Sequence, residues 1–498
     1  MWCIFPSTGL PFVRVMVWFL IFFVITSTLS ASASIGDAVV EIRVTKRGYS
    51  YQLPWAPPAL SREGGSGFVI EGGRILTNAH VVADASFVEV YSADSNRGYE
   101  ASVKLVGHDC DLALLEVGDT RFFHGKGYLT IHECMAAQEE EVQVYGFPMG
   151  GQGLAVTRGV ISRIEMGHYA HSGSVLLTSQ IDAPVNYGSS GGPVILEGRV
   201  VGVVYGGSVC GQNIGYMIPV PVVRHFLQEA EMGGYLGFPQ FPLTTQVIHN
   251  SAMRQYLGLK DNTGGLLVTH VPEDHFLHDV VRAGDILVGV DGHDIDCSGY
   301  IYYQKEKLAL PFRYAVIMKY FGDLIELDVL RKGEILHFTA QVDYRWRGQP
   351  LVKPFEYGKA PSYYILGGMV YQPLVGNFLD QDFSPSLVEL LPYFLKGRRV
   401  RDGREEVVVL THVLDDEINI GYQYLKNEVV KKVNGCNIRN IQEMVDVCSR
   451  CSAPYYEIVM ESGFEVVLYR DSVAERDPKI LQRYSIPSDR SDDLKRVR

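Results

Sequence analysis

The sequence predicts a mostly β protein built from several domains, and three observations carry that reading. The chain has 498 residues, more than one hydrophobic core organises, so it divides into roughly two to four domains. Short apolar runs such as residues 67–70, 87–91 and 200–204 are broken by Gly, Asp, Asn and Ser. Many short strands separated by such turns make a sandwich or barrels. Strands do not alternate with long helical patterns, which argues against a parallel α/β sheet.

From the N-terminus, Arg14 precedes an apolar run from Val15 to Ile25, and Ala31-Ser32-Ala33 follows as a small–x–small exit. No acidic residue comes before Asp37. A positive flank, a short apolar core and small residues describe a secretory signal peptide over residues 1–33. The run is short for a membrane span. An uncleaved segment would be the one route to membrane association. Of the eight cysteines, only Cys3 lies in this segment, so its removal leaves an odd number. An odd number in an oxidising compartment leaves at least one cysteine unpaired or bonded to another chain. Cys448-x-x-Cys451 has no second pair at zinc-site spacing and is read as two ordinary cysteines near a helix end.

Residues 46–65 carry Tyr49, Tyr51, Trp55 and Pro54, Pro57 and Pro58, and are expected to form an exposed loop because proline disrupts strand pairing. A helix is expected from Pro221 to Glu231: Val222, Val223, Phe226, Leu227 and Ala230 recur at helical spacing and Gly233-Gly234 stops it. Beyond it the chain changes character. Residues 264–270 and 284–292 read as strands, 276–281 as a short helix and 325–330 as a further strand. A similar order returns at 407–412, 428–435 and 456–460, as a divergent second copy, with a linker at 344–350 between the two. The domains expected are 34–232, 233–345 and 346–475, followed by a charged tail, 476–498, with residues 488–498 disordered.

Composition is ordinary globular, 47% hydrophobic and 20% charged, and the net charge of −12 argues against nucleic acid as a partner. No His-Glu-x-x-His occurs, and neither a metal nor a cofactor is expected.

The chemistry gathers in three places. Tyr187-Gly-Ser-Ser-Gly-Gly-Pro193 sets Ser190 among glycines, as a nucleophile on a tight turn requires, with the N–H groups of Gly188 and Ser190 as the oxyanion hole. Leu76-Thr-Asn-Ala-His-Val-Val82 places His80 at the end of an apolar strand, where imidazole can act as base near neutral pH. Gly107-His-Asp-Cys-Asp111 places a carboxylate just before another strand, able to orient the imidazole. A structural histidine, a turn aspartate and a Gly/Ser hairpin are each ordinary alone. The order His, Asp, Ser within one β-rich region is that of chymotrypsin-like enzymes.

On these residues the chain resembles the Deg/HtrA family of serine proteases. Gly64-Gly-Ser-Gly-Phe-Val-Ile70, Thr77-Asn-Ala-His80, Asp111-Leu-Ala-Leu-Leu115, Gly188-Ser-Ser-Gly-Gly-Pro193 and Gly215-Tyr-Met-Ile-Pro219 follow that family's blocks in order. The resemblance implies a double β-barrel protease domain, with the triad between the barrels, followed by two PDZ-like domains. Residues 360–370 resemble the branch well represented in plants, whose second PDZ is divergent. It further implies ATP-independent degradation of unfolded or misfolded proteins and assembly into homotrimers or larger cages. A secreted, periplasmic setting is expected, with an organellar one as the alternative. Asn213, Ile214, Gly215 and Tyr216 resemble the wall of the first specificity pocket and carry no charge, which favours small or medium apolar residues at the cleavage position. Tyr235, Leu236, Gly237 and Phe238 resemble the loop whose N–H groups bind a peptide's C-terminal carboxylate. The chain departs from the family at Ser189, where asparagine is usual, and at Pro184 and Tyr187. An inactive protease fold serving as chaperone or scaffold is the alternative function.

Overall fold

A computed structural model describes residues 34–495, apart from 94, 150–152, 208–213, 242, 261–262, 274, 304–307, 344–350, 382–386 and 396–402. The N-terminal segment 1–33, the linker 344–350 and Asn213 therefore lie outside the described residues.

The first closed barrel runs β1 (Val39–Gly48), β2 (Ala59–Ile70), β3 (Arg74–Thr77), β4 (Ala85–Ser92), β5 (Gly98–Gly107) and β6 (Leu112–Val117), in spatial order β1-β2-β3-β6-β5-β4. The second comprises β7 (Glu141–Gly146), β8 (Ala155–His168), β9 (Val175–Ile181), β10 (Pro193–Leu196), β11 (Arg199–Gly207) and β12 (Gly215–Pro219), in order β10-β11-β12-β9-β8-β7. All pairings are antiparallel, and strand alternation sets what is buried: Val40, Ile42 and Val44 of β1 point inward while Arg43 is exposed. The barrels share one core, to which β6 contributes the fully buried Leu112, Ala113 and Leu115.

The expected boundary helix is present at Val220–Glu231, with Pro221 in its first turn and Gly233 at φ +94° just beyond its end. Val222, Val223 and Phe226 are each wholly buried against the second barrel, and Phe226 alone contributes on the order of 2 kcal/mol of apolar burial.

The middle unit is an antiparallel sheet of β13 (Thr244–Val247), β14 (Leu266–His270), β15 (Ile286–Val290), β16 (His293–Asp294), β19 (Leu324–Arg331) and β20 (Glu334–Gln341), with a separate ribbon of β17 (Tyr300–Tyr303) and β18 (Leu308–Pro311). Residues 276–280 form consecutive turns rather than the helix expected over 276–281; Leu277 and Val281 are buried, and the Val280 and Val281 N–H groups both donate to Leu277 O, at 3.1 and 2.8 Å. Leu310 and Ile317 join the core of the two barrels, and the His225 ring lies between Phe238 and Tyr320, 4.2 Å from each. That burial pushes the His225 pKa down to about 4, so the ring packs as a neutral aromatic.

The last unit is a sheet in the order β21 (Tyr364–Leu366), β22 (Met369–Pro373), β23 (Val408–Val413), β24 (Glu428–Val433), β26 (Tyr455–Met460) and β27 (Glu465–Tyr469), with β25 (Cys436–Asn437) paired to β24. The charged tail packs on this unit, and residues 488–495 of it are not disordered as expected. Arg470–Arg483 is a helix, Leu494 is buried, and Ile365 N–H donates to Asp489 O at 2.7 Å. Most charges of this stretch face water or pair, as Arg476 does with Asp416, whereas burial pushes the Asp477 carboxyl up to about 7; Val473, Ile480, Ile486 and Leu494 supply its apolar contacts.

The loop at 49–58 also differs from the expected exposed one. Its tip is docked on the last unit. Tyr51 is 5% exposed, its N–H donates to Gln381 Oε1 at 2.8 Å and its carbonyl accepts from Gln372 Nε2 at 2.9 Å. Trp55 lies against Tyr363 and His412, each at 6.0 Å. The aromatic residues outweigh the prolines: Tyr51 is buried and Trp55 half-buried by a surface more than 300 residues away in the chain.

Candidate active site

His80 stands on the short helix Ala79–Val82, entered directly from β3, and Asp111 on the turn entering β6. β3 and β6 are neighbours, so the two residues meet. His80 Nδ1 lies 2.7 Å from Asp111 Oδ2, and the His80 backbone N–H donates to Asp111 Oδ1 at 2.8 Å. A carboxylate only accepts, so Nδ1 carries the proton and Nε2 is left as the basic nitrogen. The Asp111 side chain is 2% exposed and that of His80 32%. Asp111 sits at φ +54°, a left-handed conformation costly for a non-glycine residue and maintained by its surroundings. Asn78 Nδ2, bonded to Asp111 O at 2.9 Å, is part of that support.

Ser190 comes from the second barrel, on the turn between β9 and β10. It is partly exposed, whereas Ser189 is buried at 7%. The turn is tied to the first barrel through Ser66 of β2. Ser66 N–H donates to Ser190 O at 2.8 Å and Ser66 Oγ–H to Gly188 O at 2.6 Å, while Ser66 Oγ accepts from Phe147 N–H at 2.8 Å. A Cβ on Gly65 would lie 2.7 Å from Val81 Cγ1 and 3.4 Å from Ser190 O, so the serine turn and the residue after His80 flank the same glycine. The His80–Asp111 pair and the turn that carries Ser190 thus both lie at the junction of the barrels, on either side of Gly65. Gly188, at φ +93°, and Ser190 have N–H groups with no acceptor among the described residues, whereas Ser189 N–H is bonded to Asn186 O at 3.0 Å.

Gly191 stands at φ +85°, where a Cβ would overlap Ser66 O and Thr77 Oγ1. Gly191→Ala is expected to push the serine turn away from β2, with a stability loss of about 2–4 kcal/mol and loss of turnover, checked by urea unfolding beside a peptidase assay.

Of the expected pocket wall, Gly215 is buried with Val185 beside it, and Ile214 and Tyr216 are partly exposed. The four-residue loop before the middle sheet is placed differently from a vacant carboxylate site. Leu236 and Gly237 N–H groups donate to Glu229 Oε2 at 3.0 and 2.9 Å, and Phe238 N–H to Asp109 Oδ2 at 3.1 Å. Two of the chain's own carboxylates occupy those donors, which its resemblance to a peptide-binding loop gave no means of foreseeing.

Motif reading also missed Ser66, although it lies inside a quoted Gly-Gly-Ser-Gly block, and it missed His171. The His171 ring is 6.2 Å from that of His80 and its Nε2 lies 2.8 Å from His108 Nδ1. Burial lowers the His171 pKa to about 4 and that of His108 in the same direction, so both stay neutral near the site.

Two six-stranded barrels carrying His, Asp and Ser at their junction define a trypsin-like serine peptidase, and residues 65–203 match the trypsin-like peptidase domain family, while residues 352–493 match a PDZ domain family. The chain is 34% identical over 470 residues to the putative protease Do-like 3, mitochondrial, of Arabidopsis thaliana, covering 94% of this chain and 82% of that one. It is 36% identical over 466 residues to the protease Do-like 2, chloroplastic, of the same plant, covering 93% and 76%. The chain belongs to the Deg/HtrA, or Do-like, family of serine proteases. Among solved structures it is similar to the HtrA-type protease AlgW with decapeptide, at 21% identity and a TM-score of 0.47, covering 62% of this chain and 95% of that one.

Proposed function

We propose that this serine protease hydrolyses peptide bonds of unfolded or misfolded proteins without ATP, using Ser190 as nucleophile, His80 as general base and acid, and Asp111 as the group that orients His80. The observation that carries the assignment is the two-point hold of Asp111 on His80, through Nδ1 and the backbone N–H. It leaves Nε2 free to take the Ser190 proton and return it to the leaving amine. Attack by Oγ makes a tetrahedral oxyanion that the Gly188 and Ser190 N–H groups would receive. Collapse expels the amine and leaves an acyl-serine, which water then hydrolyses by the same proton path. The uncharged wall at Ile214, Gly215 and Tyr216 supports small or medium apolar residues at the cleavage position.

The division into a protease domain over 34–232 and PDZ-like domains over 233–345 and 346–475 is part of this proposal; the last unit is extended to residue 493 by its family match and its packed helix. Homotrimer assembly rests on the family likeness. An organellar compartment is favoured over a periplasm because the two Do-like relatives that match over most of this chain are named mitochondrial and chloroplastic. No helix among the described residues is long and apolar enough to cross a membrane.

The test is reaction of the full chain with a fluorophosphonate, followed by peptide mapping, beside degradation of casein and of a folded protein without ATP. The expected result is a single adduct on Ser190 and degradation of casein alone. An adduct on Ser189 would overturn the nucleophile, and absence of both adduct and degradation would favour a scaffold.

A further inference from the structure

The turn at 107–111, which presents Asp111, is gripped from two sides by segments that lead into the two C-terminal units. On one side, Tyr235 donates its hydroxyl to Asp109 Oδ1 and places it 3.1 Å from Cys110 Sγ, and Phe238 N–H holds Asp109 Oδ2 at 3.1 Å. The Tyr235 ring occupies space that Gly107 leaves open: a Cβ there would lie 2.8 Å from its Cζ. These residues lead directly into the middle sheet.

On the other side, Tyr357, seven residues before β21, stacks on His108 at 4.3 Å and on His171 at 4.5 Å between ring centroids. Its hydroxyl donates to His171 O at 2.8 Å, and the next residue, Gly358, donates its N–H to Asp84 Oδ1 at 2.5 Å. Asp84 follows the short helix that carries His80. The segment at 357–358 therefore touches the supports of both His80 and Asp111.

We infer that Tyr235 and Tyr357 are positioning residues for the Asp111–His80 pair, through which the placement of both C-terminal units sets the geometry of proton transfer. This rests on the reading of Ser190, His80 and Asp111 as the triad. Asp111 holds a strained backbone conformation that relaxes when neighbours stop over-determining it. Displacement of an orienting carboxylate by a fraction of an ångström affects the transition state more than substrate binding. Because Glu229 and Asp109 already occupy the N–H groups of residues 236–238, that segment acts as a strut between domains rather than as a receptor for a peptide terminus.

The experiment compares full-length parent, Ser190→Ala, Tyr235→Phe, Tyr357→Leu and the double variant Tyr235→Phe/Tyr357→Leu. The readouts are kcat and KM on a fluorogenic peptide with an apolar cleavage residue, thermal midpoint, and the low-field proton resonance of His80 Nδ1–H. Each tyrosine variant is expected to lose about tenfold in kcat with KM changed by less than about twofold, to shift or broaden the resonance, and to keep its fold. The double variant should lose less than the product of the two, because both act on one turn. Folded variants with parental kcat and an unmoved resonance would overturn the inference, as would a loss confined to KM or one restored by added C-terminal peptides. Should Tyr235→Phe fail to fold, the partly exposed Tyr357, tested as both Leu and Phe, decides alone. The resonance needs no turnover and is read in Ser190→Ala as well. A parent without turnover therefore counts against the protease reading, while the variants' resonance still judges the strut.

Discussion

Replacing Ser190 with alanine is expected to lower kcat by about 10⁶, whereas Ser189→Ala should stay within about tenfold of the parent. The two serines are adjacent but not equivalent. Ser189 is buried, its N–H is committed to Asn186 O and its carbonyl accepts from Gly192 N–H at 2.9 Å. It shapes the turn and presents no hydroxyl to a substrate. Ser190 is partly exposed, and its carbonyl is pinned by Ser66 from the opposite barrel, which fixes the turn without consuming its hydroxyl. On the proposed assignment, loss of Oγ removes the bond-forming atom and leaves only binding and oxyanion stabilisation. The measurement is single-turnover cleavage of casein, with thermal midpoints to show that both variants are folded. Equal activity in Ser190→Ala and parent would exclude the assignment.

Asp111→Asn should cost about 10⁴ in kcat with little change in KM. The amide is nearly isosteric and can keep one contact to the His80 backbone N–H. Its NH₂ facing Nδ1 instead donates a hydrogen bond, which moves the imidazole proton to Nε2, the nitrogen that must act as base. Turning the amide to avoid this puts its NH₂ against the His80 N–H, two donors 2.8 Å apart in the parent geometry. Either way the pair is mismatched. The same assay, with proton resonances to read the tautomer, checks it.

How much of this was legible in the sequence follows from the range of the interactions. The short strands, the helix at 220–231 and the triad blocks announce themselves through alternation, helical spacing and glycine turns, which are local, whereas closure into two barrels rather than a sandwich followed only from family likeness. The registers joining β3 to β6, and with them the meeting of His80 and Asp111, followed only from family likeness. Tyr51 read as exposed because the prolines around it are local and its partners, Gln372 and Gln381, are not. The helix Arg470–Arg483 was masked by its charges, since only Val473 and Ile480 are buried along it. The residues at 235–238 carried the right pattern for a carboxylate-binding loop, and nothing local revealed that Glu229 and Asp109 would fill it.

The docking of the loop at 49–58 has a consequence for how the chain matures. Tyr51 leaves the ribosome early, yet the residues that bury it, Gln372 and Gln381, are 321 and 330 positions behind. At roughly 5–20 residues per second, synthesis separates them by about 15–65 seconds. The first barrel can close in that interval, because β1 and β2 pair without their connecting tip, but Tyr51 and Trp55 stay in water until the last sheet is made. A nascent or truncated chain ending before that sheet would present this aromatic tip as an adhesive surface, so completion of the C-terminal unit is also the step that conceals it.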